Sequence, residues 1–91
     1  MSKGLHTSSQ QLLRGILADA RMSGGLMQVE VATRFGKAQS FVSKVETGER
    51  QLNVFEFIDY CNALKLDPLN VLNRLIEHQP LQLPAARVKR R

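Results

Sequence analysis

Between Gln28 and Thr47 the chain reads "QVEVATRFGKAQSFVSKVET", and this stretch most constrains the folds open to it. Val31, Ala32 and Phe35 recur at helical spacing, and so do Val42 and Val45, with only "GKA" between the two sets. Neither segment is long enough to stand alone, because isolated helices shorter than about 12–15 residues are marginal in water. Each must bury its apolar stripe against other helices, so the rest of the chain has to supply them.

Glycine and proline divide the chain into five segments of that kind, at about residues 8–22, 28–35, 39–47, 54–64 and 68–78. Thr7 with Gln10, or Ser8 with Gln11, has the spacing of a capping box that opens the first, and Leu12, Leu13, Ile16, Leu17 and Ala20 form its stripe. Gly24-Gly25, Gly36 and Gly48 stop the first three. Asn53 and Glu56 cap the fourth, which aligns Val54, Phe57, Ile58, Cys61 and Leu64. Asp67 with Pro68 at the first helical position opens the fifth. No segment alternates as a strand does. The expected fold is all-α, a compact bundle of five short helices over residues 8–79, with an N-terminal arm at 1–7 and a basic tail at 80–91, either mobile or part of a dimer interface.

With 91 residues there is room for one domain and one modest core. Cys61 is the single cysteine, which excludes an internal disulfide, and His6 and His78 stand apart from any metal-ligand spacing. No run of 18 apolar residues offers a membrane span, and "MSKGLHTSSQ" lacks the apolar core of a secretory signal. A cytoplasmic protein is expected, with no metal, cofactor or small-molecule ligand, and no triad or carboxylate pair suggests an enzyme. The net charge of +5 is weaker testimony than it looks. Residues 85–91 hold four of the thirteen basic residues and no acidic one, which leaves nine basic against eight acidic elsewhere. Any case for nucleic acid has to be local.

The third segment makes that case. At 100° per residue, Ser40, Ser43, Thr47 and Lys44 lie within an arc of about 140° from Gln39, while Ala38, Val42 and Val45 fall together on the other side. One face is anchored in a core. The other is a set of donors and acceptors with a single cation, which suits base edges in a major groove. Two short helices joined by a glycine-bearing turn also match the helix-turn-helix signature. In Gln28, Ala32, Gly36, Gln39, Ser40, Val42, Ser43, Glu46 and Gly48, and in the downstream "FEFIDYCNALKLDPLNVL", the chain resembles the phage-repressor and Cro-like helix-turn-helix proteins, the XRE type, over roughly residues 9–76.

The resemblance implies a lambda-repressor-like DNA-binding domain, with the second and third helices as its helix-turn-helix. By that matching Gln39, Ser40, Ser43 and Lys44 read bases of double-stranded DNA, and Gln28, Lys37, Thr47 and Arg50 contact phosphates. Arg21 and Glu46 match a structural ion pair between the first and third helices. Met27 departs from the family pattern, since it stands where serine or threonine usually caps the second helix, which is worth about 1 kcal/mol. The tail after Pro80 matches no part of the pattern.

Phe41 falls between the two arcs, and packing against a neighbouring segment is expected over contact with a thymine methyl. Leu69, Val71, Leu72, Leu75 and Ile76 make a stripe on the fifth helix wider than a small core needs, so they are candidates for a homodimer interface. The function expected is a sequence-specific transcription regulator acting as a homodimer on a palindromic operator, cytoplasmic and on the nucleoid when bound. The alternatives are a DNA-binding antitoxin or co-regulator whose main task is to bind a partner protein, and a helical interaction module without DNA binding.

Overall fold

The computed structural model describes residues 7–78, which form α1 (Ser8–Ser23), α2 (Gln28–Arg34), α3 (Gln39–Thr47), α4 (Val54–Ala63) and α5 (Pro68–His78). The 1–6 part of the expected arm and the tail from residue 79 onward lie outside the described residues. Among the described residues there is no strand.

The helix starts follow local chemistry. Thr7 Oγ1 accepts from the Gln10 amide at 3.1 Å, satisfying an N–H that α1 itself cannot. At α4, Asn53 Oδ1 accepts from the Glu56 amide at 2.8 Å while Glu56 Oε1 accepts from the Asn53 amide at 3.0 Å, a complete capping box. Asp67 Oδ1 accepts from the Leu69 amide at 3.0 Å. Met27 has no such side chain, and Glu30 offsets part of the loss by accepting from the Met27 amide at 2.7 Å. The α3 stop needs glycine: Gly48 has φ +88°, and a Cβ there would meet the Arg14 guanidinium carbon at 2.9 Å.

The core gathers Ile16 and Leu17 of α1, Val31 and Ala32 of α2, Val42 and Val45 of α3, Phe57, Tyr60, Cys61 and Ala63 of α4, with Leu64 and Val71. α2 packs chiefly on α3, α1 on α3 and α5, and α4 on α5 and α2. Tyr60 lies against Phe35, ring centroids 5.3 Å apart, and Phe35 meets Phe41 edge-on at 5.7 Å. Phe41 therefore packs between segments.

Two expectations about stripes are corrected. Val54 and Ile58 of α4 are exposed, because the helix turns its Phe57, Tyr60 and Cys61 edge inward to meet Phe35 and its neighbours. On α5, Val71 is only 3% exposed and belongs to this chain's own core, so it cannot also face a second copy. Leu75 is half-buried against the same core. Leu69, Leu72 and Ile76 remain outside. His78 Nε2 lies 3.2 Å from Ser8 Oγ and joins the end of α5 to the start of α1.

Candidate nucleic-acid interface

The third segment has two faces in three dimensions. Val42 and Val45 are buried, which fixes the azimuth of α3, and Gln39, Ser40, Lys44 and Thr47 are exposed on its far side. Ser43 is half-buried at the margin. A protruding helix with a polar face, held by a buried apolar one, has the shape and chemistry to enter a major groove about 12 Å wide.

Behind that face the side chains are tied in sequence. Arg21 of α1 donates from Nε to Glu46 Oε2 at 2.6 Å and from Nη2 to Glu46 Oε1 at 3.0 Å. Its Nη1 also donates to the Leu26 carbonyl at 2.9 Å, holding the α1–α2 turn. Gln28 Nε2 donates to Glu46 Oε1 at 2.9 Å, and Gln39 Nε2 donates to Gln28 Oε1 at 2.6 Å. The Glu46 hydrogen bond raises the Arg21 pKa above its ordinary value, against an opposing effect of burial. Arg21, Met27, Gln28, Val29 and Gln39 line an open groove of about 490 Å³ beside this network.

The residues proposed for phosphates are placed differently from one another. Lys37 is exposed, its Nζ 5.2 Å from the centre of the Phe41 ring. Gln28 is half-buried with both ends of its amide engaged. Thr47 Oγ1 lies 3.2 Å from both the Lys44 carbonyl and the Glu49 carboxylate, so its one proton is spent within the end of α3. Arg50 turns onto α4: its guanidinium stacks 4.7 Å from the Phe41 centroid, donates to the Gln51 carbonyl, and grips Glu56 at 2.7 and 3.1 Å. That strap ties the end of the helix-turn-helix to the start of α4. The sequence shows Glu56 only as the cap partner of Asn53, and the ion pair with Arg50 is its second role.

The Arg50 hydrogen bond, followed by that of the Asn53 amide, holds the Glu56 carboxyl below its ordinary value. A carboxylate depressed on folding lends stability above its unfolded pKa and loses it as pH falls through the folded one. Glu56→Gln keeps a side chain able to reach the Asn53 amide and loses only the charge. The expected cost is at most about 1 kcal/mol at pH 7. In urea unfolding the two proteins should converge in acid, below the depressed Glu56 value. A gap that stays constant from neutral to acid pH would remove the ion pair as its cause.

Three residues outside the recognition face complete the picture, and Cys61 keeps the inward place on α4 that its spacing predicts. Arg34 Nη1 donates to the Ala63 carbonyl at 2.6 Å, tying α2 to the end of α4. Cys61 is fully buried, and burial first, then Asp67, pushes its thiol up to about 11, so it stays protonated and inert. Phe55 is 75% exposed beside Val54 and Ile58 on α4. Among the described residues no helix is long and apolar enough to cross a membrane, and no three of His, Cys, Asp and Glu are grouped to hold a metal ion.

A family model described as helix-turn-helix matches residues 17–69, from the buried centre of α1 to the start of α5. An XRE-family like protein from Pseudomonas syringae pv. tomato str. DC3000 has a similar solved structure, 42% identical, with a TM-score of 0.77, covering 87% of this chain and 96% of that one. The restriction-modification controller protein C.AhdI from Aeromonas hydrophila is 25% identical, with a TM-score of 0.64 over 70% of this chain and 93% of its own. The controller protein C.Esp1396I, solved as a tetramer in complex with its natural 35 base-pair operator, shares the fold at 15% identity and a TM-score of 0.70, covering 79% of this chain and 95% of that one. No curated protein matches.

Proposed function

The chain belongs to the helix-turn-helix family of DNA-binding regulators, and on that premise we propose that it binds double-stranded DNA sequence-specifically as a homodimer on a palindromic operator. As a member of a regulator family it is not an enzyme. The observation that carries the reading is the α3 face: exposed Gln39, Ser40 and Lys44 on a helix locked by Val42, Val45 and the Glu46 network. A solvated face with no reading task would gain more from the stronger helix formers, glutamate and alanine. Lys37 supplies a phosphate contact beside it, and Gln28 supports Gln39. Arg50 is better read as a strap than as a phosphate ligand, because Glu56 and Phe41 hold it.

One recognition helix reads few base pairs, and a two-fold dimer doubles them by placing two helices in major grooves about 34–36 Å apart. Leu69, Leu72 and Ile76 are the surface offered for that pairing. The second reading, a DNA-binding protein whose main task is to bind a different protein, draws on the exposed Phe55 of α4.

Selection of bound DNA from a random pool tests the proposal, with two inverted half-sites about 10 base pairs apart as the expected product. Gln39→Ala should then cost about 1–3 kcal/mol at the selected site and relax preference at one base pair per half-site. An equal loss on selected and random DNA would remove Gln39 from the reading set.

A further inference from the structure

Glu46 accepts hydrogen bonds from two sides, and the direction of those bonds propagates outward. A carboxylate only accepts. Whichever end of the Gln28 amide meets Glu46 must therefore be its nitrogen, and Nε2 does so at 2.9 Å. The Gln28 oxygen is then turned toward Gln39, which must answer with its own nitrogen, at 2.6 Å. What remains on the outer edge of Gln39 is one N–H donor and one carbonyl acceptor, side by side. In the major groove adenine presents an acceptor at N7 and a donor at N6, whereas guanine presents two acceptors, N7 and O6. The outer edge of Gln39 complements adenine and leaves its oxygen facing an acceptor on guanine.

We propose that Glu46 is a specificity-determining residue that sets which base Gln39 reads, by fixing the orientation of two amides in series. The inference rests on the reading of α3 as the base-contacting helix. Glu46 itself is largely buried, its side chain 11% exposed, and acts only by positioning. Arg21 holds the carboxylate still through both oxygens, and Gln28 carries its polarity across the gap between α2 and α3.

Replacing the carboxylate by an amide of the same shape should release the series. Both oxygens of Glu46 accept from Arg21, Oε2 from Nε at 2.6 Å and Oε1 from Nη2 at 3.0 Å, so in Glu46→Gln the new nitrogen meets an arginine donor at either end. The acceptor that fixes the Gln28 amide is then no longer held in place, and Gln28 and Gln39 can each turn either way, showing the base an edge that suits guanine as well as adenine. The experiment is selection of bound DNA from a random pool with the wild type, Glu46→Gln and Gln28→Met, each checked for folding by circular dichroism. Gln28→Met leaves the Arg21–Glu46 pair intact and cuts the series, so it keeps the test decisive if Glu46→Gln does not fold.

At the base pair whose preference Gln39→Ala relaxes, the wild type should select adenine over guanine. Glu46→Gln and Gln28→Met should each lower that ratio about tenfold, toward parity, in line with the discrimination carried by one bidentate contact. Unchanged base preference in both variants, with only weaker overall binding, overturns the proposal while leaving the DNA-binding reading intact. A wild type that selects guanine there does the same. A wild type that enriches no site removes both.

Discussion

Glu46→Ala should lower the stability of the fold by about 3 kcal/mol, at the lower end of the range for breaking a buried ion pair. The Arg21 and Glu46 side chains are 16% and 11% exposed, so most of the screening that makes surface pairs weak is absent. Removing the carboxylate leaves the Arg21 guanidinium with one protein acceptor, the Leu26 carbonyl, and removes the acceptor of the Gln28 amide at the same time. The Tyr60 hydroxyl is buried nearby without a hydrogen-bond partner, and after burial the Glu46 charge is the next influence holding its pKa up. Its neutral oxygen is a weaker acceptor for the orphaned guanidinium than the carboxylate it would replace. For a small domain, 1 kcal/mol moves the melting temperature by about 4–8 °C, so the expected fall is roughly 12–24 °C. Thermal unfolding followed by circular dichroism measures it. Arg21→Met with Glu46→Leu should recover most of the loss, since an apolar pair of similar volume needs no partner. A drop below about 1 kcal/mol for Glu46→Ala would mean that water reaches the pair and that it locks nothing.

The same pair shows how unevenly the chain discloses itself. The caps at Thr7, Asn53 and Asp67 and the apolar spacing along the chain determine five helices, and Ile16, Leu17, Val31, Val42 and Val45 determine which faces of the first three turn inward, because periodicity and capping are local. The azimuth of α4 was less legible. Val54 and Ile58 fit its stripe as well as Phe57 and Cys61 do, and only the approach of Phe35 to Tyr60 decides the rotation. Val71 shows the same limit on α5, where a stripe cannot say which of its members face the core. At the candidate site, the polar face of α3 was readable from one segment alone. The strap of Arg50 on Glu56 and Phe41 was not, because a lone arginine past a helix end looks free until another element closes over it. Direction along hydrogen bonds is further still from sequence, since it depends on three elements meeting at Glu46.

Leu72→Glu combined with Ile76→Glu should convert a dimer to a monomer and weaken binding to a two-half-site DNA by about 10²–10⁴-fold, the gain ordinarily drawn from linking two sites. Converted to free energy this is about 3–5.5 kcal/mol. Leu72 and Ile76 are 39% and 62% exposed, one turn apart on the face of α5 that Val71 and Leu75 do not use. The core beneath is untouched by the substitutions, and exposed changes of this kind usually move stability by no more than about 0.5 kcal/mol. The monomer should keep its melting temperature and its affinity for a single half-site, so the loss falls on association alone. In a two-fold interface each substitution acts twice, because the same patch serves both copies, and four carboxylates would meet at one seam. Light scattering on the isolated protein gives the oligomeric state, and titration of one- and two-half-site DNA gives the affinities. A wild type that stays monomeric at tens of micromolar and binds both DNAs as the variant does would strip α5 of this role. The exposed apolar faces of α4 and α5 would then favour a different protein as partner, with Phe55→Ala as the next substitution to measure. A wild type that dimerises on its own and loses both dimer and two-site affinity with these two changes leaves no such need, since Leu69, Leu72 and Ile76 would already be covered.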